Sequence, residues 1–272
     1  MTISLLQTDI IWGEPFANQA MAEAMMHNAA KSDVYVLPEM FSTGFATEPA
    51  GIAETDNSSL AWMKKMAHEL DAAICGSVAT EIIDKEHCAE HLPSNKAQTP
   101  KAYYNRFYFV KPNGEYHHYD KRHLFSYGGE HHHYTHGHDR TIVEFRGVRF
   151  LLQVCYDLRF PIFSRNEGKE PYDVALYVAS WPTSRIKVWH TLLHARAIEN
   201  QCYVAGVNRI GSDKLCQYCG GTMLIDAYGN TVAECPANEE ASITIDLDIE
   251  ALHAFRKKFP VLEDADRFTL LG

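Results

Sequence analysis

The chain alternates short apolar, β-rich runs with stretches whose apolar positions recur at helical spacing. "ISLLQTDI" is an apolar run bounded by polar residues, and "EPFANQAMAEAMMHNAAK" follows with Phe16, Ala20, Met21, Ala24 and Met25 along one helical face. "DVYVLPE" is then a β-branched run halted by Pro38. Strand, helix and strand in this order are the signature of a parallel crossover. The pattern repeats where "SSLAWMKKMAHELD" leads as an amphipathic helix into "AAICGSVAT". It repeats again where "DVALYVAS", "VWHTLLHARAIEN" and "QCYVAGV" read as strand, helix and strand.

Between these units lie hairpin-like pairs. "KAYYNRFYFV" and "EYHHYD" flank the turn "KPNG", "TIVEF" and "VRFLLQV" flank "RG", and "GTMLIDAYGNTVAEC" turns at Tyr228-Gly229-Asn230. Paired strands mixed with crossovers predict an α/β protein with large mixed sheets faced by helices. A four-layer α-β-β-α sandwich satisfies this, and a three-layer doubly wound fold is compatible with the same periodicity. No internal repeat, low-complexity stretch or linker divides the chain, so a single domain over residues 1–272 is expected.

Composition narrows the function classes. Hydrophobic residues make up 46% and charged residues 22% of the chain, an ordinary balance for a globular protein. The formal net charge of −10 leaves no basic stripe to neutralise phosphates, so a small-molecule partner is expected rather than a nucleic acid. The opening "MTISLLQTDIIWGEP" has no basic n-region and reads as a first strand. No apolar run approaches the ~18 residues of a membrane span. Cysteines stand at 75, 88, 155, 202, 216, 219 and 235, an odd set in a chain too large to need disulfide staples, which points to free thiols and the cytoplasm.

Three strand ends carry a reactive polar residue, the position where open α/β sheets keep their ligand sites. In "VLPEMFSTGF", Glu39 follows Pro38 in a loop containing Phe41, Gly44 and Phe45. A carboxylate among apolar neighbours is partly desolvated and makes a usable base; the plainer reading is a solvated loop glutamate. In "YDKRHLFSYGGEHHH", Lys121 follows a strand, as a point charge for an anion or as an ordinary surface lysine. In "VRFLLQVCYDLRFPIFSRN", a strand ends directly in Cys155, and Pro161 suits the opening of a following helix. Such an elbow presents sulfur to a cleft near backbone N–H groups that favour the thiolate, although most free cysteines are small buried hydrophobes. Together the three supply an attacking sulfur, a carboxylate for its proton and a cation for an oxyanion, the requirements of acyl transfer through a thioester.

These segments resemble the nitrilase superfamily of carbon–nitrogen hydrolases over nearly the whole chain. "LPEMFSTGF", "YDKRHLF" and "CYDLRFP" are similar to its glutamate, lysine and cysteine motifs, in the family's order and separated by 82 and 34 positions. The resemblance implies an α-β-β-α sandwich that commonly forms a homodimer through its outer helices, with no metal or organic cofactor. It implies Glu39 as general base, Lys121 as oxyanion-stabilising cation and Cys155 as nucleophile, helped by the backbone N–H of Tyr156. A second family glutamate, which positions reactants, matches Glu130. "SWPTSR" and "RAIENQCYVAGVNRIGSD" most resemble the omega-amidase branch, which cleaves the terminal amide of short 2-oxo dicarboxylic acid monoamides. Nitrilases and N-carbamoyl hydrolases share the same residues. To hold the far carboxylate of such a substrate, Arg159 and Arg185 are candidates, with an Arg159–Asp157 ion pair as the competing use. Phe45, Phe125 and Trp181 are candidate pocket walls or core residues.

Two further features invite other chemistry. "GEHHHYTHGH" gathers His131, His132, His133, His136 and His138 around Glu130, the raw material of a metal-dependent hydrolase. Metal ligands usually sit at fixed offsets on ordered elements, whereas neighbouring side chains in a glycine-flanked loop point different ways, so the histidines read as rim residues. "CQYC" places Cys216 and Cys219 at a zinc-like spacing with no second pair, so they read as loop cysteines without a role.

Overall fold

In the computed structural model, residues 1–83, 101–167, 170–266 and 268–269 are described; Cys88 lies outside them. Two six-stranded mixed sheets stack face to face, each covered on its outer side by helices. In the first sheet, β1 (Thr2–Gln7), β2 (Val34–Val36) and β3 (Ala73–Ile83) run parallel, with helices α1 (Pro15–Asn28) and α2 (Ser58–Leu70) as crossovers. Antiparallel β4 (Lys101–Val110) and β5 (Tyr116–Asp120) extend one side. In the second sheet, β6 (Ile142–Phe145) pairs antiparallel with β7 (Val148–Val154), which runs parallel to β8 (Val174–Ala179) and β9 (Tyr203–Asn208). Helix α3 (Ile186–Asn200) crosses between β8 and β9. After the short pair β10 (Ile210–Ser212) and β11 (Gln217–Cys219), β12 (Met223–Ile225) and β13 (Thr231–Glu234) complete this sheet. The chain then returns as β14 (Ala241–Asp246) to pair with β1, before helix α4 (Ile249–Lys258).

The period of two along each strand explains the layering. Leu5, Val34, Val36, Phe107 and Phe109 face the second sheet, where they meet Phe150, Leu152, Val174, Leu176 and Val207. The intervening residues Leu6, Tyr35, Leu37 and Ile74 face outward against Met26, Met63 and Met66 of α1 and α2. Leu151, Ala175 and Val204 likewise pack on Trp189, Leu193 and Ala197 of α3. Strands buried on both faces therefore read as continuous apolar runs. Close approach of α3 requires Gly206, since a Cβ there would lie 2.4 Å from Leu193 Cδ1 and 2.9 Å from Trp189 Cζ2.

One helical face differs from the expectation. On α1 the buried residues are Asn18, Gln19, Ala22 and Met26, while Phe16 is exposed. The reason is hydrogen bonding: Asn18 receives Ile11 N–H at 2.8 Å and donates to Ile11 O at 2.7 Å and Ser42 O at 2.8 Å. These bonds tie the β1–α1 loop to the loop after β2 and turn the polar side inward.

Gly206→Ala is expected to lower stability by about 1–3 kcal/mol through overpacking under α3. A urea unfolding midpoint equal to wild type would contradict that packing.

Candidate active site

The strand ends build the site. Parallel β2 and β8, together with β7 and β5, finish at one end of the sandwich, and the residues that leave them converge there. Glu39 lies three residues past β2, Lys121 follows β5, Cys155 follows β7 and Ser180 follows β8. The junction between sheets is direct, because the backbone N–H of Ser180 donates to Glu39 Oε2 at 2.8 Å.

Glu39, Lys121 and Glu130 are fully buried and form one ionic cluster. Lys121 Nζ donates to Glu39 Oε1 at 2.9 Å and to Glu130 Oε1 and Oε2 at 3.1 and 2.9 Å. Phe125 N–H donates to Glu130 Oε2 at 2.6 Å, which anchors the following loop. Asn105, on β4, donates from Nδ2 to Glu39 Oε1 at 2.8 Å and to Glu130 Oε1 at 3.2 Å. Burial works to lower the Lys121 pKa, but the charges of Glu130 and then Glu39 outweigh it and hold the ammonium well above its ordinary range. Burial raises the Glu130 pKa, Lys121 opposes the rise, and the neighbouring charge of Glu39 adds to it.

Cys155 opens a 3-10 turn, Cys155–Arg159, with φ of +47°, a left-handed conformation rare for a residue with a side chain. Asp157 fixes this elbow. It accepts Val154 N–H at 2.9 Å and Tyr119 O–H at 2.8 Å on one oxygen, and His123 N–H and Nδ1 at 3.0 and 2.8 Å on the other. The cysteine elbow and the lysine loop are thus locked to the same carboxylate. The sequence predicts a helix start that favours the thiolate; the 3-10 turn instead ends at Arg159, and Pro161 opens a separate turn without an α-helix. Burial raises the Cys155 pKa well above the ordinary thiol range and the Glu39 charge adds to this, with Lys121 and the Ser180 backbone opposing.

In front of Cys155 lies a narrow pocket of about 40 Å³. Phe45, Phe125, Tyr156, Arg159, Trp181 and Arg185 all line it with Cys155. Arg159 lies over the Trp181 ring at 5.1 Å and Arg185 over the Phe125 ring at 5.4 Å. Among the described residues neither arginine has a carboxylate partner within ion-pair distance, and the alternative Arg159–Asp157 pair does not form. Asn208 at the end of β9 holds the Trp181 backbone, receiving its N–H at 2.7 Å and donating to its carbonyl at 3.0 Å. A larger open depression of about 610 Å³ surrounds Arg149, Asp173 and Arg256, without a cysteine, serine or threonine in its wall.

The other candidates separate. His131, His132, His133, His136 and His138 are all exposed, and no set of three potential ligands converges among the described residues. Cys216 lines the pocket, where the sequence reading had given it no role; Cys219 does not. Asn105, Ser180 and Asn208 escaped the sequence reading. The one available signal was Asn105 itself, a poor strand former at a position in phase with Phe107 and Phe109.

The family model for carbon-nitrogen hydrolases matches residues 2–257, and the chain belongs to that family. Omega-amidase YafV of Yersinia enterocolitica is 43% identical over 272 residues, covering 100% of this chain and 99% of the relative. The 2-oxoglutaramate amidase of Bacillus subtilis (strain 168) is 33% identical, covering 97% of this chain and 96% of its own. Among solved structures, a CN-hydrolase superfamily protein from Xanthomonas campestris, carrying an arsenic adduct in its active site, superposes with a TM-score of 0.89 at 39% identity, over 99% of this chain and 98% of that one.

A carboxyl with a raised folded-state pKa stabilises the fold while protonated, below its unfolded value, and loses that contribution as pH climbs through the folded value. Glu130→Gln is therefore expected to flatten the fall in Tm as pH rises above the usual carboxylate range, and to lower Tm overall, because its amide N–H2 would face donors from Lys121, Asn105 and Phe125. A Tm profile as steep as that of wild type over that range would show that Glu130 is not the group that titrates.

Proposed function

We propose that this chain is an omega-amidase, hydrolysing the terminal amide of short 2-oxo dicarboxylic acid monoamides such as 2-oxoglutaramate and 2-oxosuccinamate to the 2-oxo acid and ammonia. The observation that carries the reading is one pocket in which Cys155 faces two guanidiniums with no carboxylate partner among the described residues. In a chain of net charge −10, such a pocket selects an anionic substrate locally. The relatives named omega-amidase and 2-oxoglutaramate amidase, matched along nearly their whole length, support the choice of substrate.

In this scheme Glu39 takes the Cys155 proton as sulfur bonds to the amide carbon. The carbonyl π pair moves to oxygen, and the oxyanion is held by Lys121 and the Tyr156 N–H. Lys121 contacts three carboxylate oxygens at rest, so the oxyanion takes over one of its hydrogens. Collapse breaks the C–N bond, with the proton passing from Glu39 to the departing nitrogen as ammonia. Water then yields a proton to Glu39 while attacking the thioester, and the released sulfur recovers that proton. Glu130 holds Lys121 and the Phe125 loop. The two sheets share one core, which supports a single catalytic domain over residues 1–272. The six described cysteines are all free, which fits a reducing cytoplasm, and exposed Ile198 and Phe259 on the outer surface support a homo-oligomer.

Ammonia release should be measured with 2-oxoglutaramate, 2-oxosuccinamate, glutamine, a simple nitrile and an N-carbamoyl amino acid. The 2-oxo monoamides are expected to be the best substrates; turnover of the nitrile alone would overturn the substrate assignment. Cys155→Ala should abolish turnover, and Lys121→Ala should slow it by at least ~10²–10³.

Loss of a charge-assisted hydrogen bond of about 1.5–3 kcal/mol predicts that Arg159→Ala or Arg185→Ala raises KM for 2-oxoglutaramate by roughly 10-fold to 100-fold. KM for an uncharged amide such as propionamide should change little. Equal effects on both would show that neither arginine reads the carboxylate.

A further inference from the structure

We propose that Asn105 is a positioning residue of this site, whose uncharged amide clamps Glu39 and Glu130 side by side. The inference rests on the reading of Cys155 as nucleophile and Glu39 as its base. Asn105 ties together the whole cluster: Nδ2 bonds Glu39 Oε1 at 2.8 Å and Glu130 Oε1 at 3.2 Å, and its backbone carbonyl accepts Lys121 N–H at 3.0 Å. The amide has one orientation compatible with these neighbours, because the opposite one would aim its oxygen at two carboxylates. Its Oδ1 is buried with no hydrogen-bond partner among the described residues, so the orientation follows from the carboxylates and not from that oxygen.

Charge explains why an amide stands there. Two carboxylates share one ammonium in a fully buried cluster. A second cation would hold them together but would weaken Glu39 as a base. An amide supplies two N–H bonds and no charge, so it fixes geometry while lowering the basicity less than a second cation would. Ser180 N–H and Phe125 N–H hold the outer oxygens, one on each carboxylate. The titratable groups around the clamp are Glu39, Glu130, Lys121 and Cys155, with Tyr134 beyond them. Asn105 is not part of the pocket wall, so its effect falls on the chemical step and not on substrate binding.

Asn105→Leu matches the shape and removes both donors. Losing bonds made to the charged carboxylates moves the acid limb of kcat/KM upward by about one pH unit, lowers kcat by roughly tenfold or more, and leaves KM within about twofold. Asn105→Asp, equal in shape but adding a carboxylate, shifts the limb in the same direction and serves if the leucine variant does not fold. In parallel, the pH dependence of Cys155 alkylation by iodoacetamide is followed peptide by peptide by mass spectrometry, which keeps Cys216 out of the readout. That rate should show the same upward shift. Profiles superimposable on wild type, or a raised KM with unchanged kcat, would overturn the clamp. If wild type turns over none of the amides, the substrate reading has failed, and the alkylation profile still decides the role of Asn105.

Discussion

The ionic cluster of Glu39, Lys121 and Glu130 is the constraint around which the structure is arranged. Moving each ion out of water costs several kcal/mol, and mutual attraction offsets this only where geometry is good and the remaining lone pairs are satisfied. Here all four carboxylate oxygens accept hydrogen bonds, from Lys121, Asn105, Ser180 N–H and Phe125 N–H. Those donors come from β4, from the end of β5, from the loop after it and from the end of β8 in the other sheet. The cluster therefore needs both sheets in register, and the close-packed core between them supplies that rigidity.

A second consequence is electrostatic. Burial, with the Glu39 charge adding to it, pushes the Cys155 thiol up, and the same cluster puts a carboxylate beside the sulfur. The pocket in front carries the opposite sign through Arg159 and Arg185, whose guanidiniums rest on aromatic faces instead of on carboxylates. The positive pocket and the cluster lie side by side, which is the arrangement the proposed anionic substrate would meet. Asp157 holds the elbow and His123 together.

Much of this was legible from residue order. The order of strands and helices followed from their alternating patterns, with strands such as "VRFLLQV" burying both faces, while four layers instead of three came from the family resemblance. Glu39 and Cys155 were legible because each stands directly after an apolar run, and Lys121 because it follows the second strand of a hairpin-like pair. What failed was rotational or long-range. The α1 face was misjudged because Asn18 finds three backbone partners across a loop, which hydrophobic spacing does not register. The helix expected after Cys155 is a short 3-10 turn because Asp157 accepts Val154 N–H and closes the elbow locally. Cys216 faces the pocket because β10 and β11 fold over it, a placement set by pairing Ile210 with Cys219.

The sequence by itself determined the element order, the strand-end position of the reactive residues and the family resemblance, because these depend on local periodicity and on motifs a few residues long. The tertiary structure alone decided which polar groups meet. Glu39 and Ser180 are separated by 141 positions and Asn105 and Glu39 by 66, yet each pair is one hydrogen bond apart. Such contacts arise from sheet stacking and strand register, which bring distant positions together only once the core has closed, and no local pattern encodes them.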